Sequence, residues 1–317
     1  MEGKCWRFWN ETLKAPKYVL APMVSMSELV WRDLARQYGA DLCYTPMFHA
    51  KLFGESKVYR EKNFPTDETD RPLVVQFSGN DPAVLLRAAR HVVGRCEAID
   101  INLGCPQKIA KRGRYGSFLQ DEWELIEEIV RHLVENIETP VSCKIRIFDE
   151  AEKTVAYAKM LEKAGCSFIC VHGRTRGQIG ENRGEANWAV IGEIKKAVSI
   201  PVIANGGIGS LEDARRCFEE TGVDAVMAGY SHLLDPQMFS EKKETKKQVV
   251  ARYRSLCTTR LEQFKKRKYF VPSLANSLKG HLMKMFRKDE VLREKLAEVY
   301  SVEGFLELME EIGTAED

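Results

Sequence analysis

Eight short apolar runs, each ending in small or polar residues and each followed by a stretch of helical spacing, constrain this chain more than any other feature. They are Tyr18 to Met23, Leu42 to Met47, Leu73 to Ser78, Ala98 to Leu103, Val141 to Arg146, Phe168 to Gly173, Pro201 to Gly206 and Ala225 to Gly229. Continuous apolar runs belong to strands buried on both faces, which is how parallel sheets read. The stretches between them carry helix start signals. Ser27 precedes Leu29-Val30, Asp81-Pro82 precedes Val84-Leu85, Asp121 precedes Leu125-Ile126, and Ser210 precedes Leu211 and Ala214. Gly39, Gly165 and Gly222 mark helix ends. Eight such units in about 230 residues predict an α/β fold, a (β/α)8 TIM barrel, whose usual size is about 250 residues. An open doubly wound sheet is the competitor, but no Gly-x-Gly-x-x-Gly follows the first run.

After Pro236 the strand runs stop and helical spacing takes over: Tyr253, Leu256, Leu261 and Phe264, then Leu274, Leu278, Leu282 and Met285, then Leu292, Leu296 and Val299. The expected organisation is therefore a barrel over residues 1–240 and a small all-α helical domain over 241–317. Charge divides along the same line. Residues 1–240 carry 31 Lys and Arg against 33 Asp and Glu, 241–290 carry 15 against 5, and 291–317 carry 2 against 8. The middle stretch, which includes Lys265-Lys266-Arg267-Lys268, has enough excess positive charge to attract a polyanion. Nine scattered cysteines without a Cys-x-x-Cys pair argue for reduced thiols, and against a disulfide framework or a zinc site. The first residues lack an apolar leader and no run approaches a membrane span, so a cytoplasmic (or nuclear) monomer without metal is the expectation.

In a barrel, chemistry collects at the carboxyl ends of the strands. The polar residues there are Gln76, Asn102, Lys144 with Arg146, His172, and Asn205 with Gly206-Gly207, beside Met23 on the first strand. Singly, most have bland explanations: an amide satisfying backbone groups, a strand-end histidine, glycines in tight turns. Lys144 is harder to dismiss, because a lysine in a buried strand is costly unless an anion or polar ligand meets it. Together they suit a flavin, with Lys144 as the cation beside the ring, Gln76 at its polar edge, and Gly206-Gly207 and Gly229 near its phosphate. The strongest single element is Asn102-Leu103-Gly104-Cys105-Pro106, which turns sharply after a strand and is followed by Lys108, Lys111, Arg112 and Arg114. Such cations favour a nucleophilic thiolate, while a neutral thiol serves as a general acid, and the residues leave both roles open for Cys105.

Five motifs in order, Ala21-Pro22-Met23, Asn102-Leu103-Gly104-Cys105-Pro106, Cys143-Lys144-Ile145-Arg146, Val171-His172-Gly173-Arg174-Thr175 and Ala204-Asn205-Gly206-Gly207-Ile208, resemble the signature of the tRNA dihydrouridine synthases. The likeness runs from Tyr18 to about Phe239. Gln107, the segment Ile109 to Gly113 and Gln120 to Trp123 resemble the eukaryotic branch that acts on D-loop positions 16 and 17. The resemblance implies FMN held by Pro22, Met23, Gln76, Lys144, His172, Asn205 and Gly206, with Asn102 and Arg146 facing the target uracil. It further implies NADPH (or NADH) as reductant, hydride delivery to uracil C6, protonation of C5 by Cys105, and a helical domain that holds the tRNA. Where the family usually has Gly-Ala after the cysteine loop, this chain has Gly116-Ser117, a change expected to matter little. Two other readings stay open: an FMN barrel acting on a free pyrimidine, like a dihydroorotate dehydrogenase, and a non-catalytic RNA-binding protein.

Overall fold

In the computed structural model, which describes residues 2–314, the eight runs form strands in sequence order. They are β1 (Tyr18–Leu20), β2 (Leu42–Tyr44), β3 (Leu73–Ser78), β4 (Ala98–Leu103), β5 (Val141–Arg146), β6 (Phe168–His172), β7 (Val202–Asn205) and β8 (Ala225–Ala228). Every neighbouring pair is parallel, and β8 returns to β1 through Tyr18↔Val226, Val19↔Met227 and Leu20↔Ala228. The sheet therefore closes into the expected barrel. A two-residue strand, Phe48–His49, adds to the end of β3.

Two strands, β1 and β2, stop three residues short of the runs read from the sequence. Ala21 and Thr45 still donate to Ala228 and Val74 at 2.9 Å. The next residues, Pro22 and Pro46, have no N–H to continue the ladder, and the chain leaves the sheet there. Two helix starts also differ. Asp81 and Ser210 cap their helices, accepting from Val84 and Asp213. Ser27 does not: its hydroxyl is engaged with Met23, and helix Leu29–Gln37 begins uncapped at Glu28. Asp121 is likewise drawn away to Arg176, 2.9 Å distant, leaving helix Trp123–Asn136 without a side-chain cap.

Side chains alternate along each strand. One set, with Leu20, Val75, Ile99, Ile101, Ile145 and Val171, packs outward under the helices. The other fills the lower barrel with Val19, Leu42, Tyr44, Val74, Phe168, Cys170, Ile203 and Met227. The N-terminal segment closes that end, with Trp9 edge-on to Phe168 at 5.7 Å and Leu13 beside it.

Four helices follow the barrel: Lys246–Phe264, Phe270–Met285, Glu290–Glu298 and Val302–Thr314. A reciprocal Thr245–Gln248 capping box starts the first. That helix lies along Leu29–Gln37, with Tyr253 edge-on to Trp31 at 5.5 Å and Arg260 paired with Asp33 at 2.7 Å. The apolar residues of these helices and of the barrel's outer layer form one continuous core. All nine cysteines are free. Among the described residues no helix is long and apolar enough to cross a membrane.

Candidate active site

The inward-facing set changes character toward the carboxyl ends of the strands. Parallel pairing sets Gln76 beside Asp100, Asp100 beside Ser142, Asn102 beside Lys144, Arg146 beside His172, and His172 beside Asn205. A polar layer thus sits on the apolar floor of the barrel.

Its deepest part is a chain of hydrogen bonds with only one possible direction. Asp100 accepts from Ser142 Oγ at 2.7 Å and from Gln76 Nε2 at 2.8 Å. An ionised carboxylate only accepts, so the Gln76 amide must turn its nitrogen to Asp100 and its oxygen to Asn102 Nδ2, 2.8 Å away. Asn102 is oriented in turn, and its Oδ1 accepts the backbone N–H of Gly104 (3.2 Å) and of Cys105 (2.9 Å). The other side of the cysteine loop is held by Ser117, whose N–H and hydroxyl both reach Cys105 O at 3.1 Å. Gly116, at φ +66°, permits that approach, since a Cβ there would lie 2.6 Å from the same oxygen. The Ser117 hydroxyl is thus a second tether on the cysteine loop, beside its own N–H. Burial pushes the Asp100 carboxyl up to about 6 against these hydrogen bonds and the nearby Lys144.

Above this lies a cavity of about 480 Å3 at the mouth of the barrel. Of the residues expected from sequence, Pro22, Met23, Lys144, His172, Asn205, Gly206, Gly207 and Gly229 line it. Gln76 does not, being wholly buried with both ends of its amide engaged. Asn102, Arg146 and Cys105 are not among its lining residues either: the first two are nearly buried, and Cys105 is partly exposed in its loop.

Lys144 Nζ donates to Asn205 Oδ1 at 2.7 Å, and Asn205 Nδ2 donates to Met227 O at 2.9 Å. Burial, with Arg146 nearby, holds the Lys144 ammonium below its ordinary range. Arg146 donates to Gly104 O at 2.8 Å and Thr175 O at 3.0 Å, joining the cysteine loop to the loop after β6. Burial, and then Arg174, bring Arg146 down to about 10. His172 is kept neutral by burial and by Lys144, Arg146, Arg174 and Arg183. Arg174 Nη1 lies 3.2 Å from His172 Nε2, and a guanidinium only donates, so the ring hydrogen is on Nδ1.

Gly206, at φ +98°, packs under His172, whose Cδ2 would be 2.7 Å from a Cβ. Trp188 Nε1 donates to Gly206 O at 2.9 Å and lies 3.2 Å from where a Gly207 Cβ would stand. Gly229 allows the β8 end to approach Ala21 and Met23 closely. An ammonium, a neutral imidazole, an amide and a glycine cradle beside the guanidiniums of Arg174 and Arg183 suit a ligand with a polar ring edge and a phosphate.

Several residues here escaped the sequence reading. Asp100 carries the same signal as Lys144, a charge inside an apolar run, and could have been found by it. Arg183, Tyr230 and Ser231 also line the cavity, but they come from short helical turns, Gly180–Arg183 and Tyr230–Leu234, without a local signature.

A sequence model of the dihydrouridine synthase family matches residues 19–315. The tRNA-dihydrouridine(16/17) synthase-like protein of Rattus norvegicus is 44% identical over 305 residues, covering 94% of this chain and 67% of that protein. The tRNA-dihydrouridine(16/17) synthases of Schizosaccharomyces pombe and Saccharomyces cerevisiae are 45% and 49% identical, covering 88% and 74% of this chain and 71% and 57% of theirs. The chain thus spans between 57% and 71% of the length of these relatives. Among solved structures, 2-naphthoyl-CoA reductase superposes with a TM-score of 0.54 at 11% identity, over 73% of this chain and 52% of that one, which shows a shared fold alone. With the family's sequence pattern extending over nearly its whole length, the chain belongs to the dihydrouridine synthase family.

Proposed function

We propose that this chain is an FMN-dependent tRNA dihydrouridine synthase acting on D-loop uridines 16 and 17, with NADPH or NADH as reductant. The observation that carries the reading is the directed chain from Asp100 through Gln76 and Asn102 to the N–H of Cys105, which holds a thiol beside a cavity walled by Lys144, His172 and Asn205.

FMN, when bound and reduced, supplies the hydride that goes to uracil C6. Lys144, His172 and Asn205 would hold its ring, and Pro22, Met23, Gly206, Gly207 and Gly229 its flanks and phosphate, with Arg174 and Arg183 adding positive charge. Cys105 supplies the proton to C5, completing reduction of the 5,6 double bond. Asn102 and Arg146 set the position of the cysteine loop at the edge where the uracil enters. The target base must leave any stack to reach this site, which an unpaired loop nucleotide does at little cost.

Residues 241–317 are the part proposed to hold the RNA. Lys266, Arg267 and Lys268 face Lys57, Arg60 and Arg95 of the barrel across a cleft of about 580 Å3. Burial, and then Arg267, hold the Arg95 guanidinium below its usual range, as expected where six cationic side chains share a cleft with Glu61. Phosphates of an RNA backbone would relieve that repulsion.

The deciding experiment is mass analysis of unmodified tRNA before and after incubation with the protein, FMN and NADPH. A gain of two hydrogens at positions 16 or 17 is expected. Unchanged tRNA would overturn the proposal, and turnover of orotate instead would make the chain a reductase of free pyrimidines.

A further inference from the structure

One helix of the C-terminal set, Phe270–Met285, touches the segments that bound the cavity at the β1 and β8 ends, the Met26 turn and the start of helix Tyr230–Leu234. Gly280 leaves room for Met26: a Cβ on Gly280 would collide with Met26 Cε and lie 2.9 Å from its Sδ. The next residue, His281, is fully buried and stacked on Trp31, with 4.0 Å between ring centroids and 20° between planes. Its Nε2 lies 3.0 Å from Met26 O, and a carbonyl only accepts, so Nε2 carries the hydrogen. Nδ1 is then a lone pair, to which the Tyr253 hydroxyl donates at 2.7 Å. Glu28 Oε1 stands 3.4 Å from that nitrogen, and the neutral ring makes this no ion pair. Burial brings the imidazole down to about 3, so the ring stays neutral through physiological pH, while burial lifts the neighbouring Glu28 carboxyl to about 7. One turn on, Lys284 Nζ stands 5.1 Å over the ring of Tyr230, which lines the cavity after β8.

Met26 belongs to a tight turn that carries Met23. The N–H groups of Met26 and Ser27 both donate to Met23 O at 3.1 Å, and Met23 N–H donates to Ser27 Oγ at 2.9 Å. Fixing the Met26 carbonyl therefore fixes Met23, a wall residue of the cavity. We infer that His281 is a positioning residue for the cofactor, through which the C-terminal helices hold the Pro22-Met23 loop in its binding place. The inference rests on the reading of the cavity as an FMN site. It gives the helical part of the chain a task at the flavin as well as at the RNA.

The test uses the full chain stripped of flavin, with FMN affinity read from flavin fluorescence and Tm from circular dichroism on the same samples. His281→Phe keeps a ring on Trp31 but removes the donor to Met26. Gly280→Ala meets only the movable thioether end of Met26, so it should leave the Met26 carbonyl in place and the FMN Kd near the parent's. His281→Phe is expected to raise the FMN Kd roughly tenfold, the scale of losing a buried hydrogen bond. His281→Gln, whose amide can again donate, recovers part of the affinity. Leu296→Ala, a cavity in the following helix, lowers Tm and leaves Kd within about twofold. A folded His281→Phe protein that binds FMN as the parent does would overturn the inference. So would a Leu296→Ala protein that loses as much affinity, since the effect would then be general destabilisation. A parent chain that takes up no FMN would overturn the functional reading itself, and this inference with it.

Discussion

Gln76→Leu separates two roles for one residue. The sequence suggests that the Gln76 amide lies along the flavin, whereas the structure spends it between Asp100 and Asn102, with no surface left for a ligand. Leucine has a similar volume and no polar atoms, so it orphans Asp100 Oδ2 and Asn102 Nδ2 together. Each orphaned group costs about 1–3 kcal/mol, which sums to about 2–6 kcal/mol in urea unfolding. That is a large share of the about 5–15 kcal/mol typical of a folded domain. Asn102 would then be free to rotate, and the Cys105 N–H would lose its acceptor for part of the time. The expected kinetic signature is a tRNA half-reaction slowed roughly ten- to a hundredfold, the scale expected for misplacing a reacting group by an ångström. FMN affinity and flavin reduction by NADPH should change little. The two half-reactions can be followed apart by flavin absorbance under anaerobic conditions. If FMN affinity collapsed while a flavin-saturated variant reoxidised with tRNA at the parental rate, Gln76 would be a cofactor contact and the directed chain would be wrong.

Cys105→Ala should leave FMN binding and the NADPH half-reaction near normal and slow the tRNA half-reaction roughly 10²- to 10⁴-fold, as for loss of a positioned acid; parental reoxidation would exonerate the thiol. Lys144→Ala should weaken FMN binding or slow flavin reduction, read by flavin content and stopped-flow absorbance, and parental values of both would remove Lys144 from the site. Converting Lys266 and Lys268 to glutamine should weaken tRNA binding and flatten its log–log salt dependence by roughly 0.7–0.9 for each phosphate no longer neutralised; an unchanged slope would take the cleft off the RNA surface. Asp100 titrates near 6 when folded and about 3.9 when unfolded, so the folded chain holds the extra proton between those values and stability falls as pH rises through them. The stability of Asp100→Asn relative to the parent should therefore grow by about 2 kcal/mol from pH 4 to pH 7, and an equal difference at both pH values would refute the shift.

The barrel was legible because strands buried on both faces must be apolar throughout, and few other arrangements tolerate eight such runs. The strand ends were less so. Pro22 and Pro46 mark where β1 and β2 stop, but the apolar residues beyond them, Met23 and Met47, resemble more strand. Ser27 and Asp121 had the chemistry of helix caps and were drawn to other partners, Met23 and Arg176, that only the folded chain brings near. Within the site, Lys144 announced itself through the cost of a charge in a buried strand. The direction of the Gln76 amide could not be read, because it depends on Asp100 lying beside it in the register of two strands 24 residues apart. Still less could the contact of His281 with Met26 be read, across 255 residues.

The assignment of the proton donor draws support from exposure as well as from motif. Eight of the nine cysteines are buried, and Cys105 alone is not. Burial pushes the thiols of Cys43 and Cys217 up to about 11, and those of Cys96 and Cys170 up to about 12. Cys143 shows how little position on a functional strand implies. It sits one residue before Lys144, yet it faces outward and lies 3.3 Å from Cys166, with its thiol held well above the ordinary range by burial. The pleat that turns Lys144 toward the cavity turns Cys143 into the packing beneath the helices, out of reach of any base. A proton donor to uracil must meet the base, and it must be held still when it does. Among the nine thiols, only Cys105 combines an accessible side chain with a backbone pinned from both sides, by Asn102 at its N–H and by Ser117 at its carbonyl.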